Sequence, residues 1–488
     1  MTDRAGGRWR LPLAALAVLV VVAIGVYAFL QRDVPMTYAD PVEHFKYGSI
    51  GADSRDGGVP YALWRVLPTV FPDKLPNRPG EGYARFGFVF ETPTSPRPIG
   101  TSIREQPVPL LGLNCASCHT GSLRDSPNAP PRIVLGMPAQ QLDAQAYLRF
   151  LFAVGRDPRF NTDTLLNAIH ADDPSFSWFD DLLYRVLIVQ RTKEALIARG
   201  NAFSWMDARP DFLPGRVDTF NPYKQRLQER LGASSGFDIA SDKTVGTADL
   251  PSLWNQRPRE GMFLHWDGNN DSVDERNKSA TLGAGATENS LDEQSLARIH
   301  DWIADLPPPQ FPTDKINPER ARAGEPVWAS QCASCHAFGA PQTGQVTPIA
   351  EIGTDRSRLD SFTPQLASAM IEFGRGYKWQ FSHFRKTDGY ANMPLDGLWL
   401  RAPYLHNGSV PTLRDLLKPP AERPKIFYRG YDVYDYDNVG FVTSGPDAER
   451  VGVRHDTAVE GNSNSGHTYG SNLSQAEKDA LLEYLKTL

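Results

Sequence analysis

Cys115-Ala-Ser-Cys-His119 and Cys332-Ala-Ser-Cys-His336 are two copies of one pentapeptide, and together they contain all 4 cysteines of the chain. Two thiols separated by two residues can bond the two vinyl groups of one porphyrin, and the histidine that follows then lies below the iron. The pattern therefore predicts two covalently bound haem c groups. The predicted attachment residues are Cys115, Cys118, Cys332 and Cys335, and the predicted proximal iron ligands are His119 and His336.

Zinc is the main alternative for paired Cys-x-x-Cys motifs. Zinc-binding pairs usually lie about 15–20 residues apart, whereas these two motifs lie in different halves of the chain.

The composition argues against a nucleic-acid-binding function. A net charge of −6 at pH 7 gives no basic surface of the kind that binds nucleic acid, so we expect no nucleic-acid partner.

The N-terminus predicts a membrane segment. Three arginines precede an uncharged, apolar stretch at residues 11–30, which is long enough to cross a bilayer as a helix. We therefore predict a cytoplasmic tail at residues 1–10 and an uncleaved transmembrane signal anchor at residues 11–30. A signal peptide cleaved near Ala39 is the alternative. Because positive charge stays in the cytoplasm, the predicted location is the bacterial inner membrane, single-pass, with the bulk of the chain in the periplasm.

The length of 488 residues favours two or three domains, and 40 Pro beside 40 Gly favour many loops and short elements. We predict a loop-rich wrapping segment at residues 31–95. A first haem c domain with a large insertion follows at residues 96–306, and a second haem c domain at residues 307–488. The boundary between the two is placed at the Leu-Pro-Pro-Pro run that ends at Pro309.

A weak internal repeat indicates two related haem units. A loop that begins with proline follows each motif, at Pro251 and at Pro394. Each loop leads to a Leu-His step and an Asp-Gly or Asn-Gly turn, in Leu264-His-Trp-Asp-Gly268 and in Leu405-His-Asn-Gly408.

The second unit has the helices of a cytochrome. Gly324, Trp328 and Cys332 share one helix face. Ser474 and Glu477 form a capping box that opens an amphipathic last helix. This arrangement resembles the class I cytochrome c fold, in which the two terminal helices cross and the distal iron ligand lies shortly before the last helix.

In that place this sequence has His467. The resemblance therefore implies bis-His coordination of the second haem by His336 and His467. Met393, which precedes a proline, and His406 remain alternatives for the distal ligand. The first unit lacks an obvious distal ligand, since only Met137 follows its motif closely. We therefore expect an open sixth position at the first haem, where oxygen or peroxide can bind.

Two longer segments carry a further resemblance. The segment Leu264–Arg276 resembles the Trp-Asp-Gly segment of bacterial dihaem cytochrome c peroxidases and their MauG-type relatives, and the segment Arg401–Leu413 resembles their Ala-Pro-Tyr-x-His-Asp-Gly-Ser segment. The resemblance implies that Trp266 lies between the two haems. The distal Gln of that family falls on Arg276, and its catalytic Glu has no clean equivalent, since Glu288 is out of register. Ordinary peroxidase activity is therefore disfavoured, because peroxide cleavage needs a base.

The large insertion before Trp266 and the Gly-Asn-Ser-Asn-Ser-Gly-His467 ending are more similar to the dihaem rubber oxygenases. In those enzymes the first haem binds dioxygen in an apolar pocket and the second is bis-His. The resemblance implies that Trp254, Phe263 and Trp266 lie near the active haem or between the haems. The candidate catalytic residues are Trp266, Trp254 and Arg276. The resemblance does not predict the substrate of this chain. Those oxygenases are secreted, whereas this chain has a predicted membrane anchor.

Calcium is a minor alternative as an additional cofactor. Asp267, Asn269 and Asp271 alternate as they do in a calcium loop. However, Ser272 stands where the EF-hand pattern requires Gly, and Lys278 stands where it requires Glu.

The predicted fold is mainly α, with two class I cytochrome c-like haem domains, long loops, a large insertion in the first domain and an N-terminal transmembrane helix. The predicted function is that of a periplasmic, membrane-anchored dihaem c-type cytochrome, a haem-dependent oxidoreductase of the cytochrome c peroxidase superfamily. In this prediction the first haem is open for peroxide or dioxygen and the second transfers electrons. A non-catalytic, membrane-tethered electron carrier and a sensing or assembly cytochrome are the alternatives. The expected partners are the inner membrane and a small periplasmic electron-transfer protein.

Overall fold

The computed structural model describes residue 20, residues 24–25 and residues 32–488. The α-helices from residue 41 onward are Pro41–Tyr47, Tyr61–Val70, Cys115–Cys118, Ala144–Arg156, Thr162–Asp172, Trp178–Leu183, Val189–Ala202, Asn221–Leu231, Val273–Gly283, Glu293–Ala304, Pro318–Gln331, Ala333–His336, Ile349–Ile352, Ser357–Ser361, Pro364–Phe373, Leu413–Leu416, Pro446–Val451 and Gln475–Leu485. The strands are Val59–Pro60, Thr101–Arg104, Leu110–Leu113, Thr120–Leu123, Arg132–Leu135, Arg216–Asp218, Thr247–Asp249, Val346–Pro348, Gly389–Ala391, Ile426–Arg429, Tyr434–Asp435, Gly440–Phe441 and Val453–Asp456.

The fold is mixed α/β, with 43% helix and 11% strand, so the predicted mainly α class is wrong. Val59–Pro60, Leu110–Leu113 and Thr101–Arg104 form a three-stranded sheet, and the other strands form antiparallel pairs. The strands are only two to four residues long. Because glycine and proline interrupt the chain often, the stretches between turns are long enough for short hairpins but not for extended sheets.

The membrane prediction is also corrected. In the part of the chain that the structure describes, no helix is long and apolar enough to cross a bilayer. The predicted anchor at residues 11–30 falls outside the described residues except for Val20, Ile24 and Gly25. The structure therefore does not support a transmembrane helix or a single-pass inner-membrane location.

The first and last helices of the second unit cross each other closely. The helix Pro318–Gln331 precedes the second motif, and the helix Gln475–Leu485 closes the chain. The crossing point is Gly324, where an added Cβ would lie 2.0 Å from the carbonyl oxygen of Ala480. The rings of Trp328 and Tyr484 lie 6.0 Å apart beside it. The predicted capping box is present, since Ser474 and Glu477 exchange both hydrogen bonds.

We expect Gly324→Ala to destabilise the protein by about 1–3 kcal/mol, because the two helices must separate to admit the methyl group. Thermal or urea unfolding of the haem-loaded protein, followed by circular dichroism, measures this change. Gly283→Ala is the matched control, since its added Cβ would meet only Tyr223 at ordinary contact distance, 3.8 Å or more. A neutral result at Gly324 would mean that the helices do not pack as closely as described.

The first unit is closed by a different pair of helices. The helix Pro41–Tyr47 packs on the helix Glu293–Ala304, and the rings of Phe45 and Trp302 lie 4.8 Å apart. The insertion adds helices from residue 144 to residue 231, and the apolar side chains of those up to Ala202 form one core cluster with Leu63, Trp64 and Phe71. The segment predicted to wrap the first domain thus supplies two helices, Pro41–Tyr47 and Tyr61–Val70, and core residues to it.

Candidate functional site

The first motif is held by a capped turn and by a distant carbonyl. Asn114 caps the short helix Cys115–Cys118 by accepting a hydrogen bond from the Ala116 amide. His119 follows, and its Nδ1 donates to the carbonyl oxygen of Pro251 at 2.8 Å. Since Nδ1 is engaged, Nε2 is the nitrogen left for a metal, and the hydrogen bond fixes the direction in which the ring points.

The histidine of the second motif is also oriented by a distant carbonyl. His336 donates from Nδ1 to the carbonyl oxygen of Met393 at 2.7 Å. Met393 therefore lies on the proximal side of the second site, where its main chain orients His336. This position disfavours Met393 as the distal ligand.

His467 faces His336. The centroids of the two imidazole rings are 6.3 Å apart. His467 has a φ of +42°, between Gly466 and Gly470, which also have positive φ. Its Nδ1 is buried and makes no hydrogen bond in the part of the chain that the structure describes. A buried nitrogen without a partner is costly, so this residue is suited to a bound group.

The spacing of the two rings fits one iron ion between them. An imidazole nitrogen lies about 1.1 Å from its ring centre and about 2 Å from a bound metal, so two opposed imidazoles have centres about 6 Å apart. Burial is the main cause that lowers the pKa of His467 to about 4, and His336 and Arg423 add to it. Burial also lowers the pKa of His336. Both rings are thus neutral near pH 7, which is the form that binds metal.

Arg423 holds the loop that carries His467. Its guanidinium donates to the carbonyl oxygens of Asn464 at 2.6 Å, Gly466 at 2.8 Å and His467 at 3.0 Å. The same guanidinium donates to the carbonyl of Leu416 at 3.2 Å. Sequence reasoning missed Arg423, because nothing in its neighbourhood along the chain marks an arginine whose partners are main-chain carbonyls far away.

A cavity of about 550 Å³ joins the two halves of the molecule. From the first half it is lined among others by Pro251, Trp254, His265, Trp266 and Arg276, and from the second half by Cys332, Cys335, His336, Met393 and His467. Ligand cavities in proteins commonly measure about 300–1,000 Å³. Two thiols and two neutral histidines around one cavity therefore fit a covalently attached haem at the second motif.

At the first motif the fit rests on the residues around His119. Burial, with Arg276 nearby, lowers the pKa of His119 to about 3, so this ring is also neutral. Burial raises the pKa of Cys115 to about 12, and Arg276 and the Thr281 hydroxyl oppose the shift. The helix Val273–Gly283 therefore passes close to the first motif.

The internal repeat is visible in the backbone, but its register differs from the one that the sequence suggests. Positive φ values occur at His265 (+62°) and Leu405 (+70°), and three residues later at Gly268 (+64°) and Gly408 (+59°). Isolated bridges close the two turns, Leu264 with Asn270 and Tyr404 with Val410. Trp266 is thus the structural equivalent of His406. The shared Leu-His step is out of register by one residue.

The two units exchange hydrogen bonds across this repeat. The amide of Asp249 donates to the carbonyl of His406, and the amide of Ala391 donates to the carbonyl of Trp266, both at 2.9 Å. Asp249 lies two residues before Pro251, and Ala391 lies two residues before Met393. The carbonyls that orient the two motif histidines thus stand at equivalent places in the two units.

A buried ion pair adds to the hydrogen bonds between the two units. Arg429 and Asp249 have side chains that are 1% and 2% exposed, and their nearest atoms are 2.6 Å apart. Arg429 also donates to the carbonyl of Gly408 at 2.7 Å and to that of Pro214 at 3.0 Å. It therefore ties the strand end of the first unit to the turn of the second.

The three predicted catalytic residues, Trp266, Trp254 and Arg276, lie at different positions and make different contacts. Trp266 lies between the units, with its indole nitrogen donating to the carbonyl of Asp249 at 2.8 Å. Trp254 is buried, donates to the carbonyl of Leu135 at 3.1 Å and borders the cavity. Arg276 also borders the cavity. Met137 is fully buried in an apolar cluster and does not line the cavity.

The calcium alternative is not supported by the geometry. Asp267 pairs with Arg358 at 3.0 Å, and Asp271 pairs with Arg385 and His383. Because cations of the protein occupy these carboxylates, little negative charge is left for a metal ion. No group of three or more acidic, His or Cys side chains that could hold a metal occurs among the described residues.

Residues 389–428 match the family model described as "RoxA-like, cytochrome c-like". The matched segment contains Met393, whose carbonyl orients His336, and His406, whose carbonyl joins the two units. The match indicates a c-type cytochrome with haem c. It supports a relationship to the RoxA-like cytochromes, whereas the resemblance to the MauG-type peroxidases stays a prediction.

Two relatives come from Sinorhizobium fredii. The uncharacterised protein y4iJ is 26% identical, over 83% of this chain and 81% of the relative. The uncharacterised protein y4iM is 30% identical, over 49% of this chain and 64% of the relative. Neither name states a function.

Proposed function

We propose that this chain is a dihaem c-type cytochrome with oxidoreductase activity. The first haem keeps an open coordination position for peroxide or dioxygen, and the second haem is coordinated by His336 and His467 and transfers electrons. The observation that carries the proposal is the asymmetry between the two motif histidines. His336 faces a second imidazole at a ring spacing of 6.3 Å, whereas no comparable ring contact of His119 occurs among the described residues.

The equivalence of the two units supports two haems. Each motif histidine donates to a carbonyl that follows a strand end, Pro251 in one unit and Met393 in the other. At each strand end, a backbone amide also donates a hydrogen bond to a carbonyl in the turn of the other unit. Because each motif histidine is oriented by an equivalent carbonyl, the proximal side of the first motif can hold the same group as that of the second.

Haem c supplies one-electron redox chemistry, and it binds small oxygen ligands where an iron position is open. The residues of the chain orient and connect the two groups. Pro251 and Met393 fix the directions of His119 and His336. Trp266, fixed by hydrogen bonds to both units, provides an aromatic path for electrons between them. A small electron-transfer protein is the proposed redox partner.

Glu288 does not supply the base that ordinary peroxidase chemistry needs. Peroxide cleavage needs a base beside the iron, and Glu288, the acidic residue nearest to the expected place in sequence, lies elsewhere. Its carboxylate pairs with Arg230 at 3.3 Å and with Arg226 at 3.8 Å, and it does not line the cavity.

Carbon monoxide binding tests the proposal. We expect the dithionite-reduced, full-length protein to bind about one carbon monoxide for every two haems, because one iron is open and the other is capped. A difference spectrum calibrated against total haem measures the ratio. Binding of none would reject the open haem and favour an electron carrier in which both irons are six-coordinate. Mass analysis that finds fewer than two covalent haems would reject the dihaem assignment.

A further inference from the structure

The equivalence of the two turns extends into the helices that follow them. Ser272 caps the helix Val273–Gly283, and Thr412 caps the helix Leu413–Leu416. Each cap lies four residues after the glycine of its turn, Gly268 or Gly408 in the two units. Position by position, the fourth residue of the first helix therefore corresponds to the fourth residue of the second. These residues are Arg276 and Leu416.

Leu416 lies on the distal side of the second site. Its side chain lines the cavity, and its carbonyl accepts from Arg423, the residue that also holds the carbonyl of His467. By the equivalence of the units, the corresponding place at the first site belongs to Arg276, whose charge also helps to lower the pKa of His119. The first unit thus has a cation where the second has an apolar side chain beside its distal histidine.

Arg276 is the unpaired cation of this cavity. Arg259 and Arg401 both pair with Asp396. Arg358 pairs with Asp267. The guanidinium of Arg276 makes no hydrogen bond and no ion pair with the residues that the structure describes. Arg276 is half-buried and borders the cavity, so a small anion in the cavity can pair with its charge.

Burial, reinforced by Arg259, lowers the pKa of Arg276 only to about 10. The side chain therefore stays charged at neutral pH. A guanidinium presents several N–H donors in one plane, and hydrogen bonds to a charged partner are about twice as strong as those between neutral groups.

We propose that Arg276 binds anionic ligands at the distal face of the first haem. The ligand class comprises small monoanions that coordinate iron, such as azide, cyanide and hydroperoxide. This inference rests on the proposed function, since it requires an open position at the first haem. It gives that position a preference for negative charge, which an apolar oxygen-binding pocket would lack.

The test compares an anionic with a neutral ligand. Azide and imidazole are titrated separately into the ferric, full-length protein with both haems, and binding is followed by absorption spectroscopy. We expect Arg276→Leu, which copies the residue of the second unit, to weaken azide binding about tenfold or more, because a charge-assisted hydrogen bond is lost. Imidazole affinity should stay within about twofold of wild type. Arg276→Lys should retain part of the azide affinity, because it keeps the charge.

Arg257→Leu is the matched control. It removes one positive charge from a side chain that is 66% exposed and paired with Asp305, so neither affinity should change. Equal effects of Arg276→Leu on azide and imidazole, or no effect on either, would overturn the inference. A shift in the reduction potential of the first haem with an unchanged azide-to-imidazole ratio would also overturn it, and would assign Arg276 to a haem propionate. A wild-type protein that binds neither azide nor carbon monoxide would overturn the proposed function as well.

Discussion

Replacing His467 with alanine is expected to open the second haem and to convert it from low spin to high spin. His467 is the imidazole that faces His336, at a ring spacing of 6.3 Å. Without it, the distal side of the second site is bordered by Leu416 and Tyr469, which are poor substitutes for a neutral imidazole. Carbon monoxide bound per protein should about double. Absorption and electron paramagnetic resonance spectra of the full-length protein measure both changes.

Met393→Leu is the matched control for this variant. It removes the thioether but keeps the carbonyl to which His336 donates, so the second haem should stay low-spin. Spectra that stay low-spin in His467→Ala and change in Met393→Leu would reverse the assignment of the distal ligand.

Replacing Arg429 with methionine is expected to lower the free energy of unfolding by about 3–5 kcal/mol, because a buried carboxylate loses its counter-charge. Arg429 and Asp249 are both nearly inaccessible to solvent. The same variant also removes the donor for the carbonyls of Gly408 and Pro214. Denaturant unfolding of the haem-loaded protein gives the free-energy difference.

Arg454→Met on the neighbouring strand provides the comparison. Arg454 pairs with Asp456, but its side chain is 51% exposed, so the loss should stay below about 1 kcal/mol. The double variant Arg429→Met/Asp249→Asn should recover part of the stability, since it also removes the orphaned charge. If Arg429→Met cost no more than Arg454→Met, the buried pair would have no special role in joining the units.

The sequence was sufficient for features that depend on side-chain type. The spacing of the four thiols and the two motif histidines predicts haem c, which the family match supports, whereas the attachment of two haems stays a prediction. The crossing of the terminal helices was implied by the resemblance to the class I cytochrome c fold, which rested on Gly324 and on the capping box at Ser474 and Glu477. The place of His467 before the last helix was also predicted from a family resemblance, and its role as a ligand stays a prediction.

Features that depend on the main chain could not be predicted. Any residue can offer a carbonyl, so nothing marked Pro251 or Met393 as the acceptors for the motif histidines. Strands as short as Thr247–Asp249 and Gly389–Ala391 leave no periodicity to detect, which explains the mistaken mainly α class. The repeat was aligned on its Leu-His identities, whereas the backbone aligns it on the left-handed residues His265 and Leu405.

The crossed amide-to-carbonyl bonds between Asp249 and His406 and between Ala391 and Trp266 have a consequence for how the molecule is assembled. In each unit, the end of the strand is anchored by a hydrogen bond to the other unit. A chain stopped before residue 389 would leave the carbonyl of Trp266 without its donor and the amide of Asp249 without its acceptor. Neither half is therefore a finished folding unit. During biosynthesis, the surroundings of the first pentapeptide are therefore incomplete until residues 389–406, in the last third of the polypeptide, have been made.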